Sequence, residues 1–154
     1  MNKMILIISA VFLMGIAGSC QQRSDDTPDE QLTEGEGIEV DGAWSRPAAE
    51  GRMSAAYFLI TNYSNEDDVL ASVESDIAQS TEVHESYERE EGMMGMREVE
   101  ELEIPSQSTV RFEQGGVHIM LIQVTRRLAE GDSFELTLNF EDHGPITIEV
   151  PVQM

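Results

Sequence analysis

The strictest constraint on this chain lies near its C-terminus. Phe134, Leu136, Leu138 and Phe140 are spaced two apart, and so are Ile146, Ile148, Val150 and Val152, with the turn-forming Asp142-His-Gly-Pro145 between the two runs. Period two sends alternate side chains to opposite faces of an extended strand, whereas a helix would scatter the same residues around its axis. The two runs read as strands, each with one apolar face, separated by a turn signal. Another layer must cover that face. The rest of the chain has the same grammar. Candidate strands are 38–44, 54–61, 69–74, 80–87, 94–99, 108–113, 117–124, 133–140 and 145–152. Turn signals separate them at Asn62-Tyr-Ser-Asn65, Gly115-Gly116 and Glu130-Gly-Asp132. No long stretch has a helical period, residues 75–80 read as a turn, and there is no internal repeat. Many short strands at close spacing predict an all-β domain, an antiparallel sandwich or barrel. At 154 residues with 40% hydrophobic content, the chain can fill one such core.

The charge narrows the function. Thirty acidic residues against nine basic give a net charge of -21. Nucleic-acid binding needs a basic surface to displace phosphate counterions, so it is excluded as a partner class. The single cysteine, Cys20, rules out a disulfide framework, a four-cysteine zinc site, a CxxC redox pair and a thiolate-based copper centre in the folded domain. No GxSxG, HExxH, Walker or EF-hand pattern is present, and carboxylates are too abundant for a pair of them to mean anything. The chain therefore reads as a non-enzyme.

Residues 1–19 read as an address. Lys3 gives a short positive start, and Met4 to Gly18 is an apolar stretch suited to a signal peptide but short for a membrane span. The run ends Ala17-Gly18-Ser19-Cys20, which resembles a bacterial lipobox with Ala17 where Leu is commoner. That resemblance implies cleavage before Cys20 and lipidation of Cys20. The expected location is extracytoplasmic, lipid-anchored in the bacterial cell envelope, in the periplasm or at the outer surface. Residues 20–37 are acidic, polar and nearly free of apolar side chains, a flexible tether. The 17 residues after the cysteine would span about 23 Å as a coil. The mature chain keeps eight arginines and no lysine, for a net charge of -22. Such a surface fits a saline setting, where salt screens carboxylate repulsion.

Sulfur and imidazole stand out in the domain, residues 38–154. The mature chain contains Met53, Met93, Met94, Met96, Met120 and Met154, three of them in Gly92-Met-Met-Gly-Met96. In His118-Ile-Met120 the imidazole and the thioether point to the same face of a strand. His84 alternates with Val83, so if Val83 faces the core, His84 faces outward. Two imidazoles and two thioethers make a soft, neutral donor set that suits Cu(I), whereas Mg²⁺ and Ca²⁺ require oxygen. Outside the cytoplasm, thioethers keep a soft donor available where thiols would pair as disulfides. Methionine also fills cores, and a histidine on a strand is often a surface residue, so these residues alone leave both readings open.

A family pattern bears on the choice. The run His84, eleven residues, Met96, twenty-one residues, His118-Ile-Met120 resembles that of the periplasmic copper chaperone family PCu(A)C, in which the first interval is ten residues. Met94 lies one residue too near His84 and Met96 one too far. Met96 keeps the downstream spacing and is followed by Arg97, as in the family. The extra residue is expected in the Glu85–Gly92 loop. Ala43-Trp44-Ser45-Arg46-Pro47, Ser54-Ala-Ala-Tyr57, Asn62, Glu103-Ile-Pro105, Gly115-Gly116-Val-His-Ile-Met-Leu121 and Leu128-x-x-Gly131-Asp132 also follow the family in order.

The resemblance implies a cupredoxin-like Greek-key β-sandwich that binds Cu(I), one per chain, near one end, through His84, Met96, His118 and Met120. It implies a monomeric metallochaperone that hands copper, by ligand exchange, to a copper-accepting membrane protein such as a cytochrome oxidase subunit or one of its assembly factors. A lipid anchor would hold it at the membrane. His143 matches no family ligand and reads as a turn residue, Trp44 as packing, and Met53, before a strand, as a core or surface residue with a place at the border of the site as the alternative. The chain stops at Val152-Gln153-Met154 without a His/Met-rich tail, so one site is expected. Two rival readings are an envelope copper buffer and a non-metal interaction lipoprotein on the same fold.

Overall fold

The computed structural model describes residues 36–89 and 92–154. The signal segment, Cys20 and most of the tether lie outside the described residues. Ten strands follow in chain order: β1 Ile38–Ser45, β2 Ser54–Asn62, β3 Asp68–Glu74, β4 Ala78–Glu88, β5 Met94–Glu98, β6 Leu102–Ile104, β7 Ser108–Phe112, β8 Val117–Val124, β9 Ser133–Phe140 and β10 Pro145–Pro151.

They form two sheets, one ordered β1-β2-β7-β8-β4-β5 and the other β10-β9-β3-β6. The pairing is antiparallel except for Phe112 with Val117, where β7 turns into β8, and an isolated parallel bridge between Ser45 and Val152. The chain crosses between the sheets repeatedly, since β3, β6 and β9 leave the larger sheet for the smaller one. The result is the all-β sandwich that the alternation predicts.

The β9–β10 hairpin shows how the pattern becomes a core. Phe134, Leu136, Leu138 and Phe140 all turn inward, with Leu136 and Leu138 fully buried. From the larger sheet they meet Ala56, Phe58, Ile60, Val83, Ile119 and Leu121. Each aliphatic side chain so buried contributes about 1.5–3 kcal/mol relative to exposure. Asn62 is wholly buried and satisfied. Its amide donates to the carbonyls of Glu66 and Ile104 at 2.9 and 3.0 Å, and its oxygen accepts from Ser64.

Two strand assignments differ from the sequence reading by more than one residue. The short strand β6 is additional, and it pairs with β3 through Asp68 and Ile104. β4 starts at Ala78, because only Asp76 and Ile77 are needed to turn the chain. The Gly37 carbonyl accepts the Tyr63 amide at 2.8 Å, which ties that residue to the domain.

Candidate metal centre

Val83 is buried in the core, so its neighbour His84 projects from the outer face of the six-stranded sheet. Pairing then decides which residues share that face. His84 stands directly opposite His118 across β4 and β8, and Glu82 stands opposite Met120. On the other side of β4, Ser86 pairs with Met96 and His84 with Glu98. Cross-strand partners point the same way. His84, Met96, His118 and Met120 therefore all lie on one face, although they are far apart along the chain. That face is the outer one of the sheet, and the four residues lie toward the β7–β8 turn and the start of β2. The donors are carried within strands, because alternation along three adjacent strands is what aligns them.

The β7–β8 turn sets His118. The Gly116 amide donates to the Glu113 carbonyl at 3.2 Å, and Gly115 sits between them at φ +83°, where an L side chain is strained. The Gly116 carbonyl then accepts twice, from the Ser86 amide at 3.1 Å and from Nδ1 of His118 at 3.0 Å. With its proton on Nδ1, His118 keeps the lone pair of Nε2. The ring is nearly buried, at 5% exposure.

His84 is set the opposite way. Its Nε2 lies 2.9 Å from the Glu82 carboxylate, so that nitrogen carries the proton. Glu82 is held in turn by the Ser80 hydroxyl at 2.8 Å. Hydrogen bonds from His84 first, and then from Ser80, hold the Glu82 carboxyl below the usual carboxylate range and outweigh its partial burial. Nδ1 of His84 is left with no partner, and it is the one buried side-chain nitrogen or oxygen so placed among the described residues. An orphaned buried acceptor is costly unless something uses it. The two imidazole rings lie 6.1 Å apart, centroid to centroid.

A cavity of about 390 Å³ opens over this face, bordered by Met96, His118 and Met120 together with Met53, Arg46 and Tyr57. Met94 shares the face of Met96 but does not border the cavity. His84 stands beside the wall, against His118. Met96 is 55% exposed, and Met120 is half-buried. The hairpin pairing runs in register through Glu88 and Met94, so the loop between β4 and β5 begins at Arg89, later than the sequence reading placed it. Among the described residues, no group of three or more His, Cys, Asp or Glu is arranged to hold a metal ion. The donors gathered here are two imidazoles and two thioethers, a set matched to a soft monovalent cation rather than to an oxygen-seeking one.

Two features carry little signal in the sequence. Glu82 gives no signal beyond its place two residues before His84. Arg46 was noted only as part of an opening motif. Met53 is a surface residue, 65% exposed, and it borders the cavity. Trp44 does pack, with its ring 4.6 Å from that of Tyr57. His143 is a turn residue whose amide donates to Asp68 at 2.9 Å.

Residues 38–152 match the family model described as "Putative lipoprotein LpqE-like". The chain is 31% identical to "Putative lipoprotein Lxx21020" of Leifsonia xyli subsp. xyli, over 94% of this chain and 86% of that protein. Among solved structures, it is similar to the copper-bound PCuAC domain from PmoF2, at 26% identity and TM-score 0.63, covering 75% of this chain and 92% of that one. It is also similar to the solution structure of CuI-DR1885 from Deinococcus radiodurans, at 27% identity and TM-score 0.60, covering 82% and 86%. The chain belongs to the LpqE-like family, and its domain is of the PCuAC copper-chaperone type.

Proposed function

We propose that the protein is an extracytoplasmic Cu(I) carrier, not an enzyme, that binds one ion through Nδ1 of His84, Nε2 of His118 and the thioethers of Met96 and Met120. The observation that carries this reading is the pairing of His84 with His118, with the Nδ1 lone pair of His84 buried and unused. The solved PCuAC-type domains to which the chain is similar include a copper-bound one and a Cu(I)-loaded one, which supports the choice of ion.

Copper is the cargo here, and the donor set fits its release as well as its capture. All four donors are neutral, so each can leave without separating full charges. Met96 is the most exposed and His118 the most buried. An incoming ligand therefore displaces Met96 first, then Met120, and the imidazoles last. The ion passes from one coordination shell to the next without being free in solution. A lipid on Cys20 would keep the carrier close to its acceptor, a copper-binding membrane protein such as a cytochrome oxidase subunit or its assembly factor.

Anaerobic Cu(I) titration tests the site. Wild type binds one equivalent. His118→Ala combined with Met120→Ala abolishes tight binding, and unchanged binding would remove the site. For delivery, a strain lacking the chain loses oxidase activity at low copper. Sensitivity to high copper alone would point to a buffer instead.

A further inference from the structure

The copper cavity is lined in a way its cargo does not explain. Thirty of the 154 residues are acidic, and a carboxylate is the cheapest counter-charge for a bound cation. Yet among the described residues no Asp or Glu borders the cavity, and the one charged wall residue is Arg46. At about 390 Å³ the space is also far larger than one ion requires.

The backbone of Arg46 is held in place, and the side chain is exposed. Its amide donates to the Ala55 carbonyl at 3.1 Å, and its own carbonyl accepts the hydroxyls of Ser54 at 2.6 Å and Ser45 at 3.2 Å. Its guanidinium lies 5.5 Å from the centroid of the Tyr57 ring, on the cavity wall. Among the described residues the ion pairs of arginine join Arg97 to Glu85, Arg111 to Glu113 and Arg126 to Asp132, and Arg46 has no carboxylate partner. Glu82, beside His84, is committed to that ring and to Ser80.

The local charge follows from these facts. Neutral donors leave the bound ion its full positive charge, the Glu82 carboxylate behind His84 offsets it from outside the cavity wall, and Arg46 is the charge at the mouth, where an entering group arrives. The strongly negative surface is screened beyond roughly 10 Å at ordinary ionic strength. Inside the cavity the near charges decide.

We propose that Arg46 is a recognition residue for anionic copper ligands, so that the group entering from a partner to take the ion is a negatively charged donor such as a thiolate. This rests on the copper reading above. The exchange is redox-neutral. The entering sulfur donates a lone pair to copper as the bond from copper to the Met96 sulfur breaks, and the metal stays Cu(I) throughout. Arg46 stabilises the entering anion as it crosses the rim, and the wide cavity gives it room beside the resident donors.

The test compares two chelators built on one phenanthroline frame, dianionic bathocuproine disulfonate and neutral neocuproine. Each takes Cu(I) from preloaded protein in an anaerobic stopped-flow measurement. The expected result is that Arg46→Gln lowers the ratio of the anionic to the neutral rate by on the order of tenfold. Arg46→Lys restores most of the ratio. Raising salt toward 1 M narrows the ratio in the wild type. A ratio unchanged in Arg46→Gln, with thermal melting showing a folded protein, overturns the proposal while leaving the copper site intact. If Arg46→Gln does not fold, the salt series on wild type decides, and a ratio indifferent to salt overturns it. Failure of the wild type to load Cu(I) at all defeats the copper reading itself, and this inference with it.

Discussion

The Glu82 carboxylate accepts a hydrogen bond from Nε2–H of His84 at 2.9 Å, and this one hydrogen bond leaves the other ring nitrogen with a buried, unused lone pair. Outer carboxylates of this kind fix which nitrogen of a histidine binds metal, and removing them typically weakens binding by 10–100-fold. Glu82→Ala is expected to lower Cu(I) affinity within that range, measured by competition with a Cu(I) chelator. Glu82→Gln keeps an acceptor and recovers part of the loss. Cu(I) is diamagnetic, so ¹⁵N NMR reads the rings directly. On loading, Nδ1 of His84 and Nε2 of His118 should shift. A shift at Nε2 of His84 would contradict the assignment.

Met94 and Met96 share a face, but only Met96 borders the cavity. Met96→Ala should weaken Cu(I) binding by at least tenfold, and Met94→Ala should change it less than twofold. X-ray absorption on the loaded protein should count two sulfur and two nitrogen neighbours in wild type and one sulfur in Met96→Ala.

Much of this site was legible before any fold was known. His118 and Met120 needed only the two-residue repeat of a strand. His84 needed Val83 to be inside, and it is. Lateral pairing was not legible. Nothing local says that β4 lies between β5 and β8, and that order is what brings Met96 and His118 to one cavity. Arg46 was hidden for the same reason, since it reaches the cavity from a different strand end. β6 escaped because three residues are too few to alternate, and only Pro105 after it marks an end. The count of residues between β4 and β5 could not show where pairing stops, because hairpin register depends on hydrogen bonds rather than on spacing.

Asp68 supplies a pH test away from the metal. Burial pushes its carboxyl up, but hydrogen bonds from the amides of Asp142, His143 and Val69, with a further contribution from the His143 ring, more than offset this and hold it below its ordinary value of 3.8. A depressed carboxyl stabilises the fold above its unfolded value. That stability is lost as pH falls through the lower folded value. Asp68→Asn leaves some of these amides without an acceptor and should cost about 1–3 kcal/mol at pH 7. Urea unfolding at pH 7 and pH 3 should show the gap between wild type and variant narrowing at the lower pH. A constant gap would refute the account.

The net charge of -21 predicts self-repulsion that salt relieves. Melting temperature should rise by roughly 2–8 °C between low salt and 1 M, a change on the order of 1 kcal/mol. A melting temperature indifferent to salt would show that the acidic surface carries no such strain.

Met96 lies on β5, the outermost strand of its sheet, while the other three proposed ligands sit on the two strands inside it. An ion held by all four is a rivet through the hem of a fabric. Empty, the hem hangs by its hydrogen bonds to β4 alone. Filled, it is fastened to β8 as well. Protease or deuterium exchange at Met94–Glu98 would then tell a full carrier from an empty one, and a receiving protein that grips this border could sense the same difference.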